Sequence, residues 1–267
     1  MAVALTTVLA VLVVIAHPDD EILFGGFIHA LTHKLNASVD LLCVTNGEGG
    51  YAHAGASESF GRIAGIRKYF FYDQFDLKST RDINQIFTEQ WNKESVIEQF
   101  QRTIKTGNGA DGYDIMLIML PNVNSHDHHT ASGLLALEVI KRLQANQSPN
   151  ITIPTVIGGS ECVLTQPPNY AADPLAQVLT NVMTPFEFRF NLKWKVSNSR
   201  FVDYQAIFFW MAAEHKTQGG LINEILSEHD RINEQYFYFA INEASGHNAR
   251  LTIIQNLFTQ LANIHQN

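Results

Sequence analysis

The sequence predicts an α/β fold, a Rossmann-like three-layer sandwich in which helices cover both faces of a mainly parallel sheet. Two observations support this prediction. Largely apolar runs at residues 11–16 and 113–120 are typical of strands buried on both faces. Stretches of helical length separate such runs, and this alternation is typical of a parallel sheet with helices on both sides. In a fold of this kind the active site lies at the carboxyl ends of the strands.

The expected elements alternate along the first 160 residues, each strand being a short aliphatic or aromatic run and each helix beginning after a turn. Strands are expected at 8–16, 38–45, 69–73, 113–120 and 152–158, and helices at 20–35, 57–66, 80–106 and 130–146. The last third is harder to assign. Residues 204–211 fit the buried side of a helix, and residues 234–240 fit either a strand or a helix.

The first apolar run ends in a dense group of polar residues, His17 to Glu21. Pro18 cannot continue a strand ladder, so it turns the chain, and Asp19 and Asp20 are expected to open the next helix as capping residues. Successive acids point in different directions, so one can bind a metal beside His17 while the other faces the metal's ligand. An imidazole and a carboxylate are two of the three protein ligands of a catalytic zinc site.

A second cluster of histidines follows another buried strand, at residues 125–130. Strand-end loops can meet across a parallel sheet because all its carboxyl ends lie on one side. His126 and His129 are three residues apart, so both can face one spot if a helix starts at about that point. A single loop histidine is usually solvated, and helix capping alone would account for an acidic run. Neither explanation accounts for two His-containing clusters behind two buried strands.

The two clusters resemble the motifs of the PIG-L or LmbE-like family of zinc-dependent N-acetylglucosaminyl deacetylases. The family's Ala-His-Pro-Asp-Asp-Glu signature is complete at Ala16–Glu21, and its His-x-x-His motif is similar to His126–His129. The middle positions of the second motif are commonly Pro-Asp and here are Asp127-His128. Weaker similarities lie at Thr45–Gly47, Glu58–Ile66 and His215–Gln218. Many members carry an Arg shortly before the helical Glu, where this chain has Gly55-Ala56-Ser57, which leaves the substrate open.

The resemblance implies a role for each site residue. His17, Asp20 and His129 would be the zinc ligands, Asp19 the general base, and His126 the group that meets the oxyanion or protonates the leaving amine. General chemistry agrees, since three protein ligands leave a position for water and a nearby carboxylate can take its proton. Glu21 and Asp127 are expected to orient ligand histidines. His126 is expected to be an imidazolium that sets the basic limb of the pH profile.

The composition limits the remaining possibilities. With 267 residues, 46% of them hydrophobic, we expect one domain over residues 1–267. The net charge of -8 argues against nucleic acid or an anionic membrane as partner. The resemblance implies a small amino sugar as the substrate. Residues 1–16 lack the basic start of a signal peptide and run into the motif, so we expect a cytoplasmic protein without an integral membrane segment. Cys43 and Cys162 are expected to be free thiols, and a homo-oligomer is compatible with the sequence.

The leading hypothesis is a metal-dependent hydrolase that removes an acetyl or other acyl group from an N-acetylglucosamine-type amino sugar or its conjugate. A metallo-β-lactamase-like hydrolase would need an Asp at Thr130 and an antiparallel fold. A dinucleotide-binding enzyme would need a Gly-x-Gly-x-x-Gly turn after the first strand. A non-catalytic sugar- or metal-binding protein and an amidase for a non-sugar substrate remain as alternatives. Two imidazoles and one carboxylate bind Zn²⁺, and also Fe²⁺ or Co²⁺.

Overall fold

A computed structural model shows a seven-stranded sheet with helices on both faces. It describes residues 8–47, 61–76, 82–109, 111–146, 151–166, 168, 178–197, 201–215, 232–245 and 249–266. The strands are β1 (Ala10–Ile15), β2 (Ser38–Thr45), β3 (Lys68–Gln74), β4 (Ile115–Met119), β5 (Thr155–Gly159), β6 (Val182–Asn191) and β7 (Asn233–Phe239). Their order across the sheet is β3-β2-β1-β4-β5-β7-β6.

The first five strands of the sheet are parallel, and β7 runs antiparallel to both β5 and β6. The sheet is therefore mainly parallel, as predicted. From β1 the chain builds outward to β2 and β3 on one side, and later to β4 and β5 on the other. The boundary between β1 and β4 is the point where the strand order reverses, and ligands of open α/β sheets bind outside the carboxyl ends there.

Among the described residues, five longer helices cover the sheet. They are α1 (Gly25–Lys34), α2 (Lys93–Thr106), α3 (Asp127–Ala145), α4 (Tyr204–Ala213) and α5 (Ala249–Gln266). Alternate side chains of β1 divide the core: Val11, Val13 and Ile15 pack with α1, α4 and α5, whereas Leu12 and Val14 pack with α2 and α3. Every residue of β1 is buried, which is why this strand reads as a continuous apolar run.

Two of the predicted helices are divided in the structure. The segment 20–35 begins as a 3₁₀ helix, Asp20–Phe24, before α1. The segment 80–106 contains a short turn at Ile83–Gln85 and a π-helical turn at Ile86–Gln90 before α2. Extended backbone at Trp91 (ψ 135°) breaks this helix, and the Asn92 side chain caps α2 by accepting from the Ser95 N–H at 3.2 Å.

The last third contains elements that the sequence pattern did not reveal. Residues 204–211 are helical, as predicted, and residues 234–240 are resolved in favour of a strand, β7. Strand β6 and helix α5 were not predicted. Of the expected helix at 57–66, residues 61–64 are helical and the earlier part lies outside the described residues. No helix among the described residues combines the length and hydropathy needed to cross a bilayer.

Strand β7 holds the helix that follows the first motif. The fully buried carboxylate of Glu234 accepts hydrogen bonds from the Gly26 N–H at 2.8 Å and the Phe27 N–H at 2.9 Å, which are the first free donors of α1. The Tyr236 hydroxyl donates to the same carboxylate at 2.8 Å. A Cβ at Gly26 would lie 2.6 Å from a Leu192 methyl carbon, so glycine permits this close approach.

This cap gives a stability prediction. Glu234→Gln should lower the free energy of unfolding by about 2–4 kcal/mol, because the amide leaves a buried donor facing another donor. Urea denaturation measures the change. Glu89→Gln is the matched control, since Glu89 is exposed and accepts only from Gln85 on its own helical turn. Its expected effect is below about 0.5 kcal/mol, and equal losses in both variants would contradict the capping role.

Candidate metal and catalytic site

Four strands of the parallel sheet deliver polar side chains to one place at their carboxyl ends. The turn after β1 carries His17, Asp19 and Asp20, and the loop and helix start after β4 carry three further histidines. Glu161 follows β5, and Asp76 follows β3. The histidines of the two clusters lie together, with the His17 ring centroid 5.0 Å from those of both His126 and His129. The site therefore lies at the reversal point of the sheet.

The turn after β1 is fixed by the side chain of Asp20. Its Oδ2 accepts from the Ala16 N–H at 3.0 Å and from the His17 N–H at 2.7 Å, so the carboxylate folds back over the strand end. The prediction that both acids cap the following helix was wrong: Asp19 stands at the N-cap position but makes no side-chain capping bond. Because Asp20 is held by the turn, its other oxygen, Oδ1, faces His129.

The second cluster sits on the first turn of α3. His126 is the N-cap residue, and its Nδ1 accepts from the backbone N–H of His128 at 3.3 Å. Since the helix begins at Asp127, His126 and His129 lie one turn apart, with ring centroids separated by 5.1 Å. Both therefore face the turn after β1, as the three-residue spacing predicted.

The three side chains expected to bind a metal come together. His17 Nδ1 lies 3.1 Å from His129 Nε2, and His129 Nε2 lies 2.9 Å from Asp20 Oδ1. His17 Nδ1 lies 3.4 Å from Asp20 Oδ2. Two ligands of a tetrahedral ion with bonds near 2.0–2.1 Å stand about 3.3 Å apart. These donors can therefore hold a divalent metal, and their chemistry suits Zn²⁺, Fe²⁺ or Co²⁺.

The acid that orients His129 is Glu161, which sequence reasoning missed. Glu161 Oε1 lies 2.5 Å from His129 Nδ1 and also accepts from the Ser125 hydroxyl. This contact holds a proton on Nδ1 and directs Nε2 at the site, where that nitrogen can bind a metal once its own proton is lost. The carboxylate on the outer nitrogen of His129 is thus neither Glu21 nor Asp127. Glu161 lies three residues after the predicted strand 152–158, so a search of the strand-end loops for acidic residues could have found it.

The same neighbours shift the pKa values of the ion pair between His129 and Asp20. Burial would lower the pKa of His129, but the Asp20 and Glu161 carboxylates outweigh it and raise that pKa to about 10. Burial would raise the pKa of Asp20, but His129 and His17 outweigh it and hold the pKa well below its usual range. Without a metal, the His129 imidazolium and the Asp20 carboxylate neutralise each other.

Asp19 has the opposite shift. Burial raises the pKa of Asp19 to about 7, and the negative charge of Asp20 adds to the rise while His17 partly offsets it. A carboxyl group that titrates near neutral pH can both accept and return a proton. The pKa values of these two adjacent acids therefore differ widely. Asp20 stays ionised, and Asp19 titrates near neutral pH.

His126 does not have the charge expected from the sequence. Burial lowers the pKa of His126 to about 4, and repulsion from the imidazoles of His129, His17 and His128 adds to this. The prediction of an imidazolium near neutral pH was therefore wrong, because four histidines share the site. Since its Nδ1 accepts from a backbone N–H, the neutral ring carries its proton on Nε2.

A second group of donors surrounds the other ring nitrogen of His17. His128 Nδ1 lies 3.1 Å from His17 Nε2, and Asp76 Oδ1 lies 3.5 Å from it. Both residues are buried. The sequence left the role of His128 open and did not select Asp76, which follows β3 as the other site residues follow their strands.

The weaker sequence similarities have mixed outcomes. His215 lies against Glu21, with His215 Nε2 3.4 Å from Glu21 Oε1, and both are fully buried. Burial would lower the pKa of His215, but Glu21 outweighs it and raises that pKa. Glu58 and Gln218 lie outside the described residues. Cys43, which is buried, and Cys162, which is exposed, are free thiols as predicted.

Fold and site together define an α/β protein with histidines and carboxylates gathered at the reversal point of a parallel sheet. Residues 12–140 match the sequence model of the PIG-L family, described as GlcNAc-PI de-N-acetylase. This segment contains both motifs, His17–Glu21 and His126–His129. Over residues 12–140 the chain is therefore similar to the PIG-L family, as its motifs predicted. No curated protein matches the chain.

Solved structures with the same fold include enzymes of antibiotic biosynthesis. A deacetylase from the teicoplanin biosynthesis pathway is 13% identical and has a TM-score of 0.55, with 85% of this chain and 96% of that chain covered. A conserved protein of Thermus thermophilus is 15% identical, with a TM-score of 0.53 and coverage of 86% and 94%. Teicoplanin deacetylase in a zinc-inhibited form is 10% identical, with a TM-score of 0.52 and coverage of 85% and 97%. At these identities the likeness concerns the fold.

The pKa of His129 predicts how metal binding depends on pH. Between pH 7 and 9 the ring is protonated, so an ion at its Nε2 must displace a proton, and the affinity for Zn²⁺ should rise about tenfold per pH unit before levelling near pH 10. Calorimetry in buffers of different ionisation enthalpy counts the protons released. Glu161→Gln removes one carboxylate that raises this pKa and should shift the dependence to lower pH. An affinity for Zn²⁺ that is constant from pH 7 to 9 would contradict the assignment.

Proposed function

We propose that this protein is a metal-dependent N-deacetylase that removes the acetyl group from an N-acetylglucosamine-type amino sugar or its conjugate. The observation that carries the proposal is the convergence of His17, Asp20 and His129 on one point in a chain similar to the PIG-L family, at distances suited to one ion. Asp19 and His126 flank this point, so candidate base and oxyanion donor are present beside the ligands. Deacetylase neighbours with the same fold support this reaction class.

The proposed metal ligands are His17 Nδ1, the Asp20 carboxylate and His129 Nε2. A divalent ion held there supplies polarisation of the amide carbonyl and a lowered pKa for the attacking water. Zn²⁺ fits the donor set, and so do Fe²⁺ and Co²⁺. Because one structural neighbour is described in a zinc-inhibited form, activity is best compared with all three ions at one equivalent and in excess.

The proton path follows from the shifted pKa of Asp19. Its carboxylate takes a proton as the water oxygen bonds to the acetyl carbon. The same carboxyl group, with a pKa raised to about 7, then returns that proton to the amine nitrogen as the C–N bond breaks. The products are the free amino sugar and acetic acid, which loses its remaining proton to solvent to give acetate, and Asp19 ends ionised as it began. No imidazolium is needed for this sequence.

His126 acts as a neutral hydrogen-bond donor in the proposed reaction. Its Nδ1 is occupied by the His128 N–H, so its Nε2–H is available to the oxygen that gains negative charge when the carbonyl is attacked. The contact from the backbone also fixes the ring at the start of α3. The donor is therefore oriented before the substrate binds, and little reorganisation is required.

Two alternatives can be separated by substrate tests. The metal-loaded protein is incubated with N-acetylglucosamine, N,N′-diacetylchitobiose and an N-acetyl amino acid, and acetate release is measured. Release from the sugars supports the proposal, whereas release from the amino acid alone would assign an amidase for non-sugar substrates. Metal retention with sugar binding but no release from any substrate would assign a non-catalytic binding protein.

The two adjacent acids should respond differently to the same change. Asp20→Asn should weaken metal retention, because it removes the charge of a ligand. Asp19→Asn should retain the metal and lower kcat by about 10²–10⁴-fold, the usual contribution of a general base. Metal content by mass spectrometry and acetate release measure the two effects. The variants are matched in chemistry and differ by one position, so equal metal loss in both would show that the roles are divided wrongly.

His126→Ala should lower kcat/KM by about 10²–10³-fold with the metal retained, since one oxyanion donor is lost. Because the pKa of His126 lies near 4, the pH profile between 6 and 9 should keep its shape, and kcat/KM should still rise with pH as Asp19 ionises. The profile is measured in metal-buffered solution. Loss of a basic limb in this variant would instead restore an imidazolium role.

A further inference from the structure

The imidazole of His17 stands between two sets of donors. Its Nδ1 faces His129 and Asp20, and its Nε2 faces His128 Nδ1 at 3.1 Å and Asp76 Oδ1 at 3.5 Å. The remaining distance, from His128 Nδ1 to Asp76 Oδ1, is 3.4 Å. These three atoms form a nearly equilateral triangle, and its edges match the separation of about 3.3 Å between ligands of one tetrahedral ion.

The ring of His128 is oriented so that a lone pair faces this triangle. Its Nε2 lies 3.2 Å from Gln90 Oε1, and an amide oxygen only accepts, so the proton is on Nε2. Trp91 stacks on the same ring with centroids 5.3 Å apart and planes 27° apart, and His128 is fully buried. His129 is arranged in the same way, since its outer nitrogen, Nδ1, is held by the acceptor Glu161. Such a hydrogen bond from the outer nitrogen is usual for a metal-binding histidine.

A hydrogen bond alone does not account for the triangle. The N–H of His17 Nε2 could donate to His128 Nδ1, but this hydrogen bond would involve only the two histidines and not Asp76. The Asp76 oxygen lies 3.4–3.5 Å from both nitrogens, which is too long for a good hydrogen bond to either ring. The carboxylate is nevertheless buried at the same point. One cation at the centre of the triangle would contact all three groups at once.

We propose that the protein has a second divalent-cation site, formed by His17 Nε2, Asp76 and His128, and that the His17 imidazole bridges it to the first. The nitrogen and oxygen donors suit Zn²⁺ or Co²⁺ better than Mg²⁺ or Ca²⁺. Binding of the second ion releases the remaining ring proton of His17 to solvent, which leaves a bridging imidazolate. The second ion is therefore held more weakly than the first. The inference depends on the proposed first site only through His17.

The stoichiometry of binding tests the proposal. The metal-free full-length protein is dialysed against increasing Co²⁺, and separately Zn²⁺, and bound metal is measured by mass spectrometry. The wild type should take up two ions per chain in two steps. Asp76→Asn and His128→Asn should each take up one. The control is Asp73→Asn, which removes the same charge from an exposed position on β3, three residues before Asp76, and should still take up two.

Electron paramagnetic resonance of the Co²⁺ forms tests the bridge. Two ions sharing an imidazolate should be magnetically coupled in the wild type, and the single ion in Asp76→Asn should give an uncoupled signal. Two ions bound by wild type and by both Asp76→Asn and His128→Asn would overturn the ligand set. One ion in the wild type, kept in Asp76→Asn and lost in His129→Ala, would overturn the second site and leave the proposed function standing. No bound ion in the wild type would overturn both.

Discussion

The site depends on one interaction, the folding back of Asp20 over the end of β1. One carboxylate oxygen binds the N–H groups of Ala16 and His17, and the other faces His129 on α3. The contact joins the turn of the first strand to the helix after the fourth, across the reversal point of the sheet. It also fixes the charge balance of the site, since the ionised Asp20 holds His129 protonated until a metal takes the place of the proton.

Repulsion between like-charged neighbours gives the two acids, and likewise the histidines, different protonation states in the site. Two adjacent acids cannot both be ionised at low cost in a buried turn, so the acid with imidazole partners stays ionised and Asp19 titrates near neutral pH. The histidines follow the same rule. His129 has carboxylate partners and is protonated, whereas His126 lies among imidazoles and is neutral. In the proposed reaction, neutral His126 would donate one oriented hydrogen bond and Asp19 would carry the proton.

The antiparallel half of the sheet supports the site from behind. Glu234 on β7 caps the helix that follows the first motif, although 207 and 208 residues separate it from the N–H groups it binds. This anchor holds the segment after Asp19 and Asp20 against the sheet, so the turn has a fixed support on both sides. Strand β7, whose sequence shows only an aromatic-rich pattern, therefore stabilises the geometry of the first motif.

The sequence by itself determined the class of fold, the two clusters and their meeting, because buried parallel strands are recognisable from local apolar runs and share one edge for their carboxyl ends. Glu161 and Asp76 also follow strands, yet only the tertiary structure decided that they reach His129 and His17. Strand β6, helix α5 and the Glu234 cap were likewise decided by long-range packing, which leaves no periodic signal. The charge of His126 depends on three other rings around it, and such a sum over neighbours exists only after the chain has folded.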